Sequence, residues 1–293
     1  MNKTFKKGLV VLGAVAVVFD ASTKTGNAID VSAAYGINTN KLTSEHGSKL
    51  EFKDMTMHGV NIGFGMPVDL GILKRIEAGF GYDTSLGDGN LTENNLTNFS
   101  TKNTVWHDIS AKAMRYDLAL IGPRTGIFDH MLVLSGDRFN ITKADHCDFR
   151  VDVGGVITEG SLNNQPKYKY NMKNFDLGYS LGTGHRIGSV NLSAQTLIAF
   201  GCALAKGDGI KQLELESFDE KSTYMRLGLG AEAEMDLGTV SPFLGAKAEF
   251  RKSLTGSYKQ NDISGAIETV LYDKDQKFSR LNAGIYAGGR ARF

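Results

Sequence analysis

Residues 279–293 read SRLNAGIYAGGRARF. Taken backwards from Phe293, every second position is Ala291, Gly289, Ala287, Ile285, Ala283 and Leu281. The positions between them are Arg292, Arg290, Gly288, Tyr286, Gly284 and Asn282. One face is apolar or small; the other carries arginines, a phenol and an amide. Side chains that alternate with a period of two define a β-strand with unlike faces.

The same pattern recurs along the chain. Ile29, Val31, Ala33, Tyr35 and Ile37 alternate with Asp30, Ser32, Ala34, Gly36 and Asn38. Met225, Leu227, Leu229, Ala231, Ala233 and Met235 alternate with Arg226, Gly228, Gly230, Glu232 and Glu234. Comparable runs occupy 60–66, 76–83, 114–120, 175–181, 190–200 and 244–251. In HMLVLSGDRFNI (130–141) neither phase dominates, although a strand is expected there. CDFRVDVGGVI (147–157) alternates well and is read as part of a tall third loop. No amphipathic helix, linker or second domain emerges, so the fold class is all-β.

The connections fall into two kinds. Pro67–Leu73, Gly122–Asp129, Gly182–Gly188 and Asp236–Pro242 are short. Thr39–Thr56, Asp83–Thr104, Asn140–Pro166, Lys206–Lys221 and Ser253–Lys277 are long and polar. Long and short alternate strictly, as do the extracellular loops and periplasmic turns of transmembrane barrels. Ten strands put every short turn on one side and both ends of 29–293 with them; eight or twelve are the alternatives. A twelfth strand would have to hide in a stretch such as ISGAIETVLY (263–272).

The 293 residues carry a net charge of +1, with 35 glycines and only 4 prolines. So even a balance argues against a nucleic-acid partner. Residues 1–28 read as a cleaved secretory signal: Lys3, Lys6 and Lys7, then GLVVLGAVAVVF, then Gly26-Asn27-Ala28 before the cut. Residues 29–293 are then a single barrel domain outside the cytoplasm. Cys147 and Cys202 are too few to hold the fold as disulfides would. The outward phase of Cys202 argues that they do not pair.

Runs of about ten residues suffice to cross a bilayer when tilted. In such a barrel the apolar face meets lipid and the polar face lines the lumen. The chain resembles the outer-membrane β-barrel proteins of Gram-negative bacteria, the class of OmpA-like barrels and porins. The resemblance covers 29–293, and its most specific element is the terminal strand ending in Phe293. It implies residence in the outer-membrane lipid and recognition of the last strand by the barrel-assembly machinery. Ala287, Gly289 and Ala291 are smaller than that class favours.

The lumen phase collects Asp30, Glu77, Arg115, Asp117, Arg226, Glu232, Glu234, Lys247, Glu249, Arg251, Arg290 and Arg292. Two readings follow: a charged constriction that selects small solutes, or an ion-pair plug in a narrow bore. Ten strands favour the plug, since small barrels are filled by side chains. Antiparallel closure predicts that Asp30 meets Arg290 or Arg292. An adhesin or surface antigen, binding host ligands through loops such as 84–104, is the alternative. A rim hydrolase is the third reading, with Asp83, His107, Asp108 and Asp208 as its acidic and histidine candidates. No enzyme activity is expected: acid–base work needs two of these within hydrogen-bond reach, and polar residues are ordinary in loops. ADHCD (144–148) offers too few ligands for a metal, GTGHRIG (182–188) is a turn rather than a phosphate loop, and no cofactor is expected.

Overall fold

The computed structural model describes residues 29–46, 48–86, 89–96, 100–143, 146–153, 155–163, 169–208, 217–261, 268–269 and 277–293. The expected signal segment 1–28 lies outside them, as does most of 263–272. The strands are β1 (Asp30–His46), β2 (Ser48–Leu70), β3 (Leu73–Ser85), β4 (Gly89–Leu96), β5 (Ser100–Ile121), β6 (Phe128–Lys143) and β7 (His146–Val153). There follow β8 (Val156–Asn163), β9 (Lys169–Ile187), β10 (Val190–Asp208), β11 (Ser217–Met235), β12 (Val240–Asn261), β13 (Glu268–Thr269) and β14 (Lys277–Arg292).

Ten of these close a ring: β1, β2, β3, β5, β6, β9, β10, β11, β12 and β14, each antiparallel to its neighbours. The seam runs from Asp30 opposite Arg292 to Glu45 opposite Lys277. Below it, Ile29 and Phe293 exchange backbone hydrogen bonds at 3.1 Å in both directions. Closure is obligatory in lipid, where no water can satisfy a free strand edge. At the short-turn end, Gly71 and Gly188 sit at φ of 68° and 60°, the left-handed region that glycine enters without steric cost.

The two faces of β9 show which way the barrel is turned. Phe175, Leu177 and Tyr179 are 53%, 48% and 49% exposed, while Asp176 and Ser180 are 1% and 0% exposed. Apolar side chains point out and polar ones point in, the reverse of a water-soluble barrel. Leu192, Ile198 and Phe200 on β10, Leu227 and Leu229 on β11, and Leu281 and Ile285 on β14 extend the same belt. Only hydrocarbon suits such a surface, so the barrel spans a membrane.

The strands are taller than the sequence pattern implies. β5 and β12 have 22 residues each and β2 has 23. A tilted crossing needs about 9–11. Much of the expected loops 39–56, 206–221 and 253–277 is therefore strand, and β1 passes to β2 across residue 47 alone. The reason is that ladder hydrogen bonds need no apolar side chains, so pairing continues above the belt where alternation has ceased. β4 fits between β2 and the upper part of β5. The hairpin β7–β8 joins β5 on its other edge, so 147–157 belongs to the third loop, as expected. Strand β6 resolves the ambiguous run. Met131, Val133, Ser135, Asp137, Phe139 and Ile141 are buried inside, and Leu132 points out. Both phases are apolar near its lower end because Met131 and Val133 pack inside against Leu197 and Ala199.

The belt makes a quantitative prediction. Leu229 is 64% exposed on the outer wall. Leu229→Arg is expected to cost about 2–4 kcal/mol if it sits near the bilayer midplane. Denaturant unfolding from lipid vesicles measures the loss, and an unchanged midpoint would mean that this face is not in hydrocarbon.

Candidate functional site

Short turns and both ends of the described chain lie at one end of the barrel, the periplasmic end in outer-membrane barrels. Charged side chains from the inner face form two layers above it. In the lower layer Arg75 Nη2 donates to Asp30 Oδ2 at 2.5 Å and its Nε donates to Glu77 Oε1 at 2.7 Å. Arg290 donates to Glu234 and, at 3.0 Å, to Glu232 Oε1. Arg292 donates to Glu234 and lies 3.8 Å from Asp236. Tyr286 donates its hydroxyl to Glu232 at 3.3 Å. Arg290 also sits over the Phe243 ring, 5.4 Å from its centroid.

The expected seam contact is present only as a long ion pair. Arg292 Nε is 3.9 Å from Asp30 Oδ1. The hydrogen bond of Asp30 goes to Arg75, two strands away through β2. Arg290 and Arg292 turn the other way because β11 offers them two carboxylates, Glu232 and Glu234.

The upper layer spans the bore. Asp137 on β6 accepts from Arg251 on β12 and from Arg280 Nη1 on β14 at 2.5 Å. Asn174 adds hydrogen bonds to the same carboxylate at 3.1 and 3.2 Å. In the ring order β6 stands five places from β14 in either direction, so this contact crosses the full diameter. Arg226 donates to Asp176 at 3.0 Å and to Glu249 at 2.8 Å. Arg251 lies 3.7 Å from Glu249, and Tyr224 donates to Asp176 at 2.7 Å. Arg115 donates Nη2 to Asp83 at 2.7 Å. Asp137, Asp176, Arg226, Arg251 and Arg280 are all less than 7% exposed.

Above that lattice the bore is filled mainly by apolar side chains, with Ser44 donating to the buried Glu220 at 2.9 Å among them. Leu42, Met55, Met57, Ile109, Phe139, Ile141, Tyr170, Met172, Tyr224 and Phe278 form one buried cluster. The guanidinium of Arg280 stacks on Phe139, 5.1 Å from the ring centroid, and joins the charged layer to this core.

The lumen residues read from the sequence divide between these layers. Asp30, Glu77, Glu232, Glu234, Arg290 and Arg292 are in the lower one. Arg115, Arg226, Glu249 and Arg251 are in the upper one. Asp117 and Lys247 line a cavity between them. Arg75, Asp137, Asp176 and Arg280 complete the network and were missing from the sequence reading. The inward phase of two runs, extended one step, reaches Arg75 before Glu77 and Arg280 before Asn282, the first lower in the barrel and the second higher. Asp176 lay on a polar phase already. Asp137 had no such signal, because both faces of its run are partly apolar.

The rim candidates are not assembled among the described residues. Asp83 is 2% exposed inside the barrel and committed to Arg115. The side chains of His107, Asp108 and Asp208 lie outside the described part, as do those of His146 and Cys147 and residues 144–145. Cys202 is free and exposed on the outer wall.

No family model and no curated relative matches the sequence. Solved structures do match. The outer membrane protease OmpT from Escherichia coli is similar at 12% identity, with 91% of this chain and 97% of that chain covered and a TM-score of 0.63. The fold is that of an outer-membrane β-barrel. The translocator domain of the autotransporter NalP from Neisseria meningitidis is 12% identical over 99% of this chain and 97% of that chain, with a TM-score of 0.41. This outer-membrane barrel and OmpT share architecture at an identity that speaks of fold and not of chemistry.

The upper layer sets up a test by subtraction. Asp137→Ala leaves two buried guanidinium groups facing each other, and removing one member of a buried charged set costs about 3–5 kcal/mol. Replacing the set, Asp137→Leu with Arg251→Met and Arg280→Met, is expected to cost less than Asp137→Ala alone. At the partly exposed Asp30, the loss is expected to stay below about 1 kcal/mol. The temperature at which the folded band disappears in heat-modifiable electrophoresis ranks the variants. Equal melting of Asp137→Ala and the parent would remove the lattice from the stability account.

Proposed function

We propose that the protein is a sealed outer-membrane barrel, and that it serves as a structural, surface-presenting element and not as a solute channel. The observation that carries this reading is the contact of Asp137 with Arg251 and Arg280 across the whole diameter. It is supported from above by the buried apolar cluster around Phe139 and Tyr170, which packs the bore together with the hydrogen-bonded pair of Ser44 and Glu220. Water and ions cross a bore only where it is open and polar, and narrow barrels are filled by their own side chains. The strands continue above the belt as a wall, and the β7–β8 hairpin places Val156 and Ile157 at its exposed tip, 70% and 50% accessible. Such a wall suits contact with a partner at the cell surface, which is where the adhesin or surface-antigen reading joins this one. Engagement of β14 and Phe293 by the barrel-assembly machinery is part of the same proposal.

Planar-bilayer recording tests it. The parent protein is expected to give no steady conductance steps at any polarity. A stable ohmic pore in the parent would overturn the sealed reading. The likeness to a protease raises a second reading, peptide cleavage at the rim. Against it, the carboxylate of Asp83 is buried inside the barrel and ion-paired with Arg115, away from the exposed rim. Incubating intact barrels with a mixed peptide library is expected to leave the peptides uncut, and cleavage lost in Asp83→Asn would revive the enzyme.

A further inference from the structure

The lower lumen is not filled. Between the two charged layers lies a cavity of about 340 Å³. A second, of about 230 Å³ and lined also by Arg115, shares Ser32, Gly63, Gly79, Asp117, Lys247, Tyr286 and Arg290 with it, so the two form one chamber. The first alone reaches the size of small-molecule pockets, about 300 Å³ and above. Its floor is made by the partly exposed Asp30 and Arg75, so it faces the periplasmic end, while Arg226 and Glu249 of the upper layer roof it. Glycines make the room. A methyl group at Gly79 would meet nothing nearer than the Asp117 side chain at 4.0 Å.

The charges around this chamber are unevenly spent. Glu249 is held by Arg226, Glu232 by Arg290 and Tyr286, and Asp83 by Arg115. Two cations keep unused donors. Arg115 is 7% exposed, and its Nε and Nη1 have no hydrogen-bond partner. Lys247 lines both cavities and makes no ion pair among the described residues. The two stand on β5 and β12, five places apart in the ring and thus opposite each other. Unpaired guanidinium N–H groups in a buried site carry a free-energy cost, and a facing like charge adds to it. An anion between them removes both. Asp117, two residues from Arg115 on the same wall, is the chamber's carboxylate without an ion-pair partner among the described residues.

We propose that this chamber is a binding site for a small oxyanion, the carboxylate or phosphate group of a solute that enters from the periplasm. Its donors are Lys247, which lines both cavities, and Arg115, which lines the second. Charge-assisted hydrogen bonds of this kind are the strong ones. Asp117 opposes a bare anion and limits its affinity; a solute that also carries an amine gains that carboxylate as a partner. Binding here is read by titration and not by conductance, so it stands or falls apart from the sealed-barrel reading.

The test is calorimetric titration of the folded barrel in detergent micelles with sodium phosphate and with sodium acetate, at ionic strength held constant with chloride. Saturable binding of at least one probe at or below ~10 mM is expected. Lys247→Gln is expected to weaken it about tenfold or more, equivalent to loss of one charged donor. Asp117→Asn is expected to tighten it several-fold, a gain that damage to the fold cannot mimic. Gly79→Leu fills the open wall and is expected to abolish binding while the heat-modifiable band persists. Absence of saturable binding by both probes overturns the proposal. So does unchanged binding in Lys247→Gln, or weaker binding in Asp117→Asn.

Discussion

The backbone hydrogen-bond ladder is the constraint on which everything else here rests. In hydrocarbon an unpaired N–H or C=O costs several kcal/mol, so a sheet must close on itself. β1 and β14 meet over their whole common length, and Ile29 and Phe293 finish the seam with reciprocal bonds. Closure forces one face of every strand into lipid and the other into a narrow bore. The polar side chains that a water-soluble protein would leave on its surface are thereby confined together. Their pairing is a consequence of the ladder before it is a matter of function.

Confinement explains the character of the lumen. Charges in a bore of this width cannot be fully solvated, so each needs a partner or a neighbouring cavity. Arg226 between Asp176 and Glu249, and Asp137 between Arg251 and Arg280, are solutions of that kind. Glycine works in the opposite sense. Gly63, Gly79, Gly228 and Gly230 on the inner wall leave the lower bore open where bulkier residues would close it. Filled and open lumen thus follow from which residue occupies the inward phase at each level.

The barrel also changes its logic with height. Along the belt it is a membrane protein, with leucine and aromatic side chains outside and charge inside. Higher up, Met57, Phe139, Tyr170 and Phe278 turn inward and make the core of a water-facing barrel. The inversion suits strands that rise out of lipid into water, where the outer face becomes polar and the inner face must supply the burial. Arg280, stacked on Phe139 and bonded to Asp137, marks the level at which the two regimes meet.

The sequence by itself determined the architecture. Alternation of the kind seen in 279–293, and the regular succession of short and long connections, are local consequences of the period-two strand and of crossing a membrane. They led to ten strands, their inward phase and most of the lumen charges, with Arg75 and Arg280 one inward step before Glu77 and Asn282. What only the tertiary structure decided is which charges meet. Asp137 and Arg280 are 143 residues apart, and Asp137 lies in a run without a dominant phase. Asp30 belongs with Arg75 and not chiefly with Arg292, although Arg292 is its register partner. Register fixes the backbone neighbours of a strand, whereas long side chains in a closed bore reach across several strands or the full diameter. Height was hidden for the same kind of reason: backbone pairing above the belt leaves no mark on hydropathy.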